Sequence, residues 1–223
     1  MNKEIFEFLS DLERNNNREW FAQNKKRYED VKKTLERFVT QLILNINSFD
    51  PSIDIQDASK TFFRIYRDTR FSLNKDPYKI NFGSIIVPES YRHSCEYPAY
   101  YLHLQNNENL ISMGIYMPGP QVMKMVRRAI DEDFETFSET VAKLENSFGG
   151  MLHGAEDSLK RVPPGFDKNS PAAEYLKLKN FYVFKEFTNE EVLKNDFLDK
   201  ITSLYKDSYE LKEWFAKVIL PTD

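Results

Sequence analysis

The sequence predicts an α+β fold, in which a long N-terminal helix backs a largely antiparallel sheet and the C-terminal half is mostly helical. Two helical patterns come first, four of five strand patterns then cluster between residues 60 and 117, and helical patterns follow. Such segregation of strands from helices favours α+β over a doubly wound sheet. The 223 residues suffice for one buried core, so we expect a single domain over 1–223, with a subdomain from about residue 118 as the alternative.

Two helical patterns open the chain. Residues 3–13 place apolar side chains three and four positions apart, which predicts a short amphipathic helix. Asn16 with Glu19 matches a capping box, so a second helix is expected to begin there. Its apolar stripe continues through residues 20–46 until an Asp-Pro pair, which predicts one long helix whose stripe belongs to the core.

Strand patterns fill the middle of the chain and recur once later. Runs rich in aromatic and β-branched residues predict strands over residues 60–66, 79–87, 100–105, 110–117 and 180–187. Four residues separate the third strand from the fourth, which is typical of an antiparallel hairpin. Residues 89–97 read as a loop.

Helical patterns dominate the remainder of the chain. Proline suits the first turn of a helix, a Gly-Gly pair at 149–150 stops one, and Thr188 with Glu191 matches a capping box. The predicted elements are a helix that begins at Pro118 or Pro120, a helix over 134–144, an irregular segment over 151–169, a short helix after Ser170-Pro171, and a helical region that begins at Thr188.

The most basic segment lies between the first two predicted strands. Residues 60–79 contain six lysine or arginine residues and two aspartates, a local charge of +4 in a chain whose net charge is −4. An arginine guanidinium stays charged and presents a planar set of donors that matches phosphate or carboxylate at two points. The segment therefore predicts a binding site for a small anionic ligand. Its candidate ligand-binding residues are Arg64, Arg67, Arg70, Lys75 and Tyr78.

Three interpretations of this segment stay open. In the first, the protein recognises a phosphorylated or otherwise acidic ligand, and it either binds that ligand or acts on it as an enzyme. In the second, the aromatic residues among the cations make the segment a non-enzymatic module for nucleic acid or a protein partner. In the third, Asp68 and Asp76 join the arginines in a structural network, and the function lies elsewhere.

Other side chains are weaker candidates. Arg18, at the start of the long helix, and Lys160 with Arg161, beside a Pro-Pro-Gly turn, are accessory binding candidates. Asp68 and Tyr78 are the candidates for catalysis, although arginines lower the pKa of a nearby carboxyl and suit it to orienting other groups.

Several classes of protein are disfavoured. Three dispersed histidines, the single Cys95 and the lack of a glycine-rich phosphate loop predict no metal site and no cofactor. The N-terminus does not resemble a signal peptide, and no apolar run approaches the roughly 20 residues of a membrane span. We therefore expect a cytoplasmic protein without a membrane partner, whereas nucleic acid is not excluded and the oligomeric state is not indicated.

The basic segment also resembles the signature of an uncharacterised bacterial and fungal family, domain of unknown function 2461. That signature reads Arg-x-x-Arg-Asp-x-Arg-Phe, followed by Asp or Asn-Lys-x-x-Tyr. Its positions are occupied here by Arg64, Arg67, Asp68, Arg70, Phe71, Asn74, Lys75 and Tyr78. Residues 15–21, 114–118 and 163–167 are similar to the family as well. The resemblance implies a site at this segment but no particular chemistry.

Overall fold

The computed structural model describes residues 1–92, 96–151 and 157–220. Cys95, His93 and His153 therefore lie outside the described residues, as do parts of the segments 89–97 and 151–169. The described residues contain ten α-helices and one four-stranded antiparallel sheet, which confirms the predicted α+β class.

The helices and strands have the following bounds. The helices are α1 (Glu4–Arg14), α2 (Arg18–Gln23), α3 (Lys25–Asn47), α4 (Pro120–Glu132), α5 (Phe134–Ala142), α6 (Glu145–Phe148), α7 (Ala173–Leu176), α8 (Asn189–Val192), α9 (Phe197–Asp207) and α10 (Tyr209–Ile219). The strands are β1 (Asn81–Ile86), β2 (Ala99–Gln105), β3 (Asn109–Ile115) and β4 (Phe181–Phe187), and they lie in the order β1-β2-β3-β4. These four strands match four predicted ones to within two residues at each end.

The fifth predicted strand, over residues 60–66, is wrong. Residues 58–60 form a 3₁₀ turn, and the following segment makes only two isolated antiparallel bridges, Phe62 with Ser84 and Tyr66 with Tyr78. Between those bridges, three residues on one side face five on the other, so no continuous ladder of hydrogen bonds can form. The segment is nevertheless held alongside β1 and the residues before it.

The predicted long helix is divided into α2 and α3. The break lies at Asn24, whose φ of −104° and ψ of 10° depart from helical values. The N-cap of α2 is Asn17, whose side-chain oxygen accepts a hydrogen bond from the Trp20 amide at 2.9 Å, and the capping box predicted for Asn16 is wrong. The long N-terminal helix itself is confirmed as α3, which buries one apolar stripe (Val31, Leu35, Val39, Leu42, Ile43 and Ile46).

The described chain divides into two compact units. Unit 1 comprises Met1–Ile86, Tyr101–Ile111 and Glu186–Ser203, and unit 2 comprises Val87–Tyr100, Ser112–Lys185 and Leu204–Asp223. In unit 1, α1 and α3 pack together, and the Arg27 guanidinium joins them through Glu4 and Asp11. In unit 2, the buried Phe137 ring of α5 contacts Trp214 of α10 at 4.9 Å between centroids. The expected single domain stays a prediction.

No helix among the described residues combines the length and the apolar character that crossing a bilayer requires.

Candidate functional site

The basic segment forms a surface loop in unit 1. Residues 67–77, called the arginine loop below, leave and rejoin paired backbone at the Tyr66–Tyr78 bridge. The Arg67 amide donates to the Pro77 carbonyl at 2.9 Å, and the Lys79 amide donates to the Ile65 carbonyl at 2.8 Å. Pro77 has no amide hydrogen to donate, which helps to end the pairing at this point.

Aromatic packing anchors the base of the arginine loop. Tyr78 is only 4% exposed, and its ring stacks on Phe21 of α2 with 4.0 Å between centroids. The Tyr66 ring lies 5.3 Å from that of Tyr78. Burial, with a smaller effect of Tyr66, raises the pKa of the Tyr78 phenol, so the phenol is protonated at neutral pH.

The side chain of Asn16 holds the same point of the chain from the other side. Its amide nitrogen donates to the Tyr78 carbonyl at 3.0 Å, and its oxygen accepts from the Tyr78 amide at 3.1 Å. The Asn16 amide thus bonds Tyr78 as the backbone of a neighbouring strand would, and it replaces pairing that the irregular segment lacks. It ties the end of the arginine loop to the start of α2.

We expect Asn16→Ala to lower the free energy of unfolding by about 1–3 kcal/mol, because it leaves the partly buried Tyr78 backbone groups without partners. Urea denaturation measures this loss. Asn15→Ala is the matched control, since Asn15 follows the end of α1 and its amide nitrogen donates to the nearby Asp11 carbonyl of that helix, at an exposed position. Its expected cost is about 0.5 kcal/mol or less. Equal losses in the two variants would contradict the role given to Asn16.

Two of the predicted ligand-binding cations hold the arginine loop together. Arg67 donates from Nη1 to the Asp76 carbonyl at 3.2 Å and from Nη2 to the Ser72 hydroxyl at 3.3 Å. Lys75 Nζ donates to the Thr69 carbonyl at 2.9 Å. Because these acceptors are neutral, both side chains keep their full positive charge while they shape the loop.

Arg70 and Asp68 form an exposed pair. Arg70 donates to the two Asp68 carboxylate oxygens, from Nε at 3.0 Å and from Nη2 at 2.7 Å. The side-chain hydrogen bonds from Arg70 lower the pKa of Asp68, and the Arg70 amide and the Arg64 charge act in the same direction. Asp68 is therefore ionised at neutral pH, which suits a carboxylate that orients Arg70 and not a general acid.

Arg64 and Lys79 are placed differently from the other cations. Arg64 is exposed and makes no hydrogen bond or ion pair with any described residue. Burial, together with the nearby Arg64 charge, lowers the pKa of Lys79, whose Nζ lies 5.2 Å from the Phe63 ring centroid. Lys79 likewise has no ion pair within the described part of the chain. Arg64 acts on the Asp68 carboxylate only at longer range, since Arg70 binds that carboxylate directly, so neither Arg64 nor Lys79 forms an ion pair among the described residues.

Comparison with known proteins identifies the family. A family model described as a conserved hypothetical protein, DUF2461, matches residues 4–214. The chain belongs to the DUF2461 family. This confirms the resemblance seen in the arginine-rich signature, and the matched range includes the whole arginine loop. No match was found among curated proteins or among solved structures.

The accessory candidates of this DUF2461 chain lie in different units. Arg18 begins α2 in unit 1, and its charge opposes the rise in the pKa of Tyr78. Lys160 and Arg161 are exposed residues of unit 2. A shared role of these side chains with the arginine loop stays a prediction. No group of three or more His, Cys, Asp or Glu side chains in the described ranges could hold a metal ion.

Sequence reasoning missed two features of the candidate site. The local pattern assigned Asn16 to a helix cap. Its contact with Tyr78 could not be predicted from that pattern, because it joins residues 62 positions apart. Phe71 was considered only as one of the aromatic residues of the nucleic-acid interpretation and Leu73 was not singled out, yet they are 96% and 102% exposed. The signal that could have revealed the second feature is the alternation of apolar with polar residues inside a loop that has nowhere to bury them.

Proposed function

We propose that this DUF2461 protein binds an anionic, phosphate-bearing ligand at Arg64 and Lys79, beside the arginine loop. The observation that carries the proposal is that neither Arg64 nor Lys79 has an ion pair among the described residues, while burial chiefly, and repulsion by the Arg64 charge in addition, lowers the pKa of Lys79. An anion between them would relieve that repulsion. Of the two, Arg64 supplies the donor geometry that matches a phosphate, and Lys79 adds a compact charge.

The remaining cations support binding of the anion without being assigned a contact with it. Arg67 and Lys75 are engaged with neutral oxygens of the arginine loop, so they shape the loop and add positive potential. Arg70 is neutralised by Asp68. This division fits the structural-network interpretation for Arg67, Arg70 and Lys75, but it leaves Arg64 without a structural role. The proposed activity is binding, because the Asp68 carboxylate is bonded by Arg70 and the Tyr78 ring is buried against Phe21, so both serve the structure of the loop.

The test is thermal unfolding of the full chain at an ionic strength of about 0.15 M, with inorganic phosphate or pyrophosphate as the probe. Binding to the native state raises Tm in proportion to the logarithm of ligand concentration. We expect Arg64→Gln to weaken the apparent affinity roughly tenfold or more, because a hydrogen bond to a charged group contributes about 1.5–3 kcal/mol. Lys79→Gln should weaken it in the same direction.

Arg37→Gln is the matched control for that experiment. Arg37 is an exposed arginine of α3, and its replacement removes one positive charge outside the arginine loop. Its expected effect on the phosphate affinity is less than about twofold, since exposed charges beyond a Debye length of about 8 Å are screened. Phosphate stabilisation of equal size in Arg64→Gln and the unsubstituted protein would refute the proposed site.

A further inference from the structure

The apex of the arginine loop carries two large apolar side chains that contact almost nothing. Phe71 is 96% exposed and Leu73 is 102% exposed, and only one residue separates them. A single exposed apolar residue is ordinary on a protein surface. Two exposed apolar side chains this close together at the tip of a loop form a small apolar surface that water solvates unfavourably. Such surfaces mark sites of interaction.

We propose that this apex docks onto the surface of an anionic lipid bilayer. Phe71 and Leu73 enter the boundary between headgroups and acyl chains, and Arg64 with Lys79 binds headgroup phosphates. The inference rests on the proposed function, because it names the lipid headgroup as the source of the phosphate.

The internal hydrogen bonds of the arginine loop fix the shape of its apex before any partner binds. Arg67 bonds the Asp76 carbonyl and the Ser72 hydroxyl, and Lys75 bonds the Thr69 carbonyl, so the loop is closed beneath the two apolar side chains. A pre-shaped loop loses little conformational freedom on docking, which favours binding by a small contact surface.

Charge selects an anionic partner. Residues 60–79 carry a charge of +4, whereas the remaining residues of the chain sum to −8. Basic side chains near an anionic leaflet are attracted to it, and the acidic remainder of the chain is repelled from it. The two effects together favour an orientation in which residues 60–79, including the arginine loop, face the lipid.

The chemistry of the apex favours lipid over nucleic acid. Leu73 has neither a flat ring to stack on a base nor a hydrogen-bonding group, so one of the two exposed side chains has no use in binding nucleic acid. Both side chains are suited to the interfacial region of a bilayer. The expectation of no membrane partner rested on the lack of a spanning segment of roughly 20 residues, a criterion that does not apply to a loop apex.

The experiment is sedimentation of the full chain with vesicles of phosphatidylcholine alone or with about 30 mol % phosphatidylglycerol, the anionic component. We expect binding to the anionic vesicles only, and its loss at about 0.5 M sodium chloride, where screening is strong. The double variant Phe71→Ser with Leu73→Ser should bind at least tenfold more weakly with an unchanged Tm, because neither side chain is packed. Ile55→Ser, at a residue 70% exposed outside the arginine loop, is the matched control and should bind as the unsubstituted protein does.

The outcomes separate the two proposals. Equal binding to both vesicles, or no loss in the double variant, would overturn membrane docking. Binding of a single-stranded oligonucleotide in place of vesicles would overturn it too and make nucleic acid the partner. If vesicles do not bind while phosphate still stabilises the protein through Arg64, the inference fails and the proposed function stands. Vesicle binding that is indifferent to Arg64→Gln would overturn the headgroup contact given to Arg64, whereas equal phosphate stabilisation of Arg64→Gln and the unsubstituted protein would overturn the proposed function.

Discussion

Replacing Gly114 with alanine is expected to destabilise the protein by about 3 kcal/mol or more, enough to abolish stable folding if its total stability is modest. Gly114 lies in β3 with φ at +143°, a conformation that side-chain-bearing residues rarely adopt. The Cβ of an alanine would lie 2.2 Å from the Phe181 carbonyl oxygen and 2.5 Å from the Tyr182 Cα. Both are backbone atoms of β4, so relief requires the two strands to move apart.

Gly165→Ala separates steric contact from backbone strain. Gly165 also has a positive φ, +93°, but an added Cβ there would meet nothing within 4 Å. Its expected cost is the conformational one alone, about 1–2 kcal/mol. Urea denaturation followed by circular dichroism measures both variants. Similar costs at the two positions would show that close approach of β3 and β4 at Gly114 is not the cause.

Replacing Tyr78 with alanine is expected to cost about 3–5 kcal/mol, the usual range for deleting a buried aromatic ring. The Tyr78 ring is 4% exposed, stacks on Phe21 and contacts Tyr66, so its loss leaves a cavity at the base of the arginine loop. The cavity also removes the support that positions Arg64 and Lys79. We therefore expect phosphate stabilisation to disappear in Tyr78→Ala, even at a temperature where the variant remains folded.

Tyr78→Phe is the control that keeps the ring and its packing. The hydrogen bonds to Asn16 use the backbone of residue 78, so they persist in both variants. We expect Tyr78→Phe to change stability by less than about 1 kcal/mol and to retain phosphate binding. Should Tyr78→Phe lose as much stability as Tyr78→Ala, the phenol and not the ring would anchor the loop. If Tyr78→Phe keeps its stability but loses phosphate binding, the phenol is part of the binding site.

Local signals along the sequence predicted much of the secondary structure. The capping box of Thr188 and Glu191 forms as expected, with both hydrogen bonds present at the start of α8. Pro120 occupies the first turn of α4, and Gly149 ends α6 in the left-handed conformation. These features depend on interactions within about four residues, so the pattern of residue types is sufficient to predict them.

The wrong predictions share a different cause. Asn16 and Asn17 are chemically identical, and only the contact with Tyr78, 62 positions away, decides which of them caps α2. The strand predicted over residues 60–66 has the right composition. Between its two bridges, however, it contains two residues fewer than the segment opposite it, so the two segments cannot pair continuously. Register between distant segments depends on where each is held, and composition does not contain that information.

The arginine loop shows the same contrast between features that the local sequence predicts and features that contacts between distant residues decide. Sequence alone indicated where the candidate site lies, because six cations within residues 60–79 of an acidic chain and the DUF2461 signature are both local features. Tertiary structure decided which cations are available. Arg67 is taken up by the Asp76 carbonyl and Ser72, whereas Arg64 faces solvent without a partner among the described residues. A guanidinium bonds whatever acceptors the folded chain brings within about 3 Å, and the spacing of arginines along a sequence does not determine those neighbours.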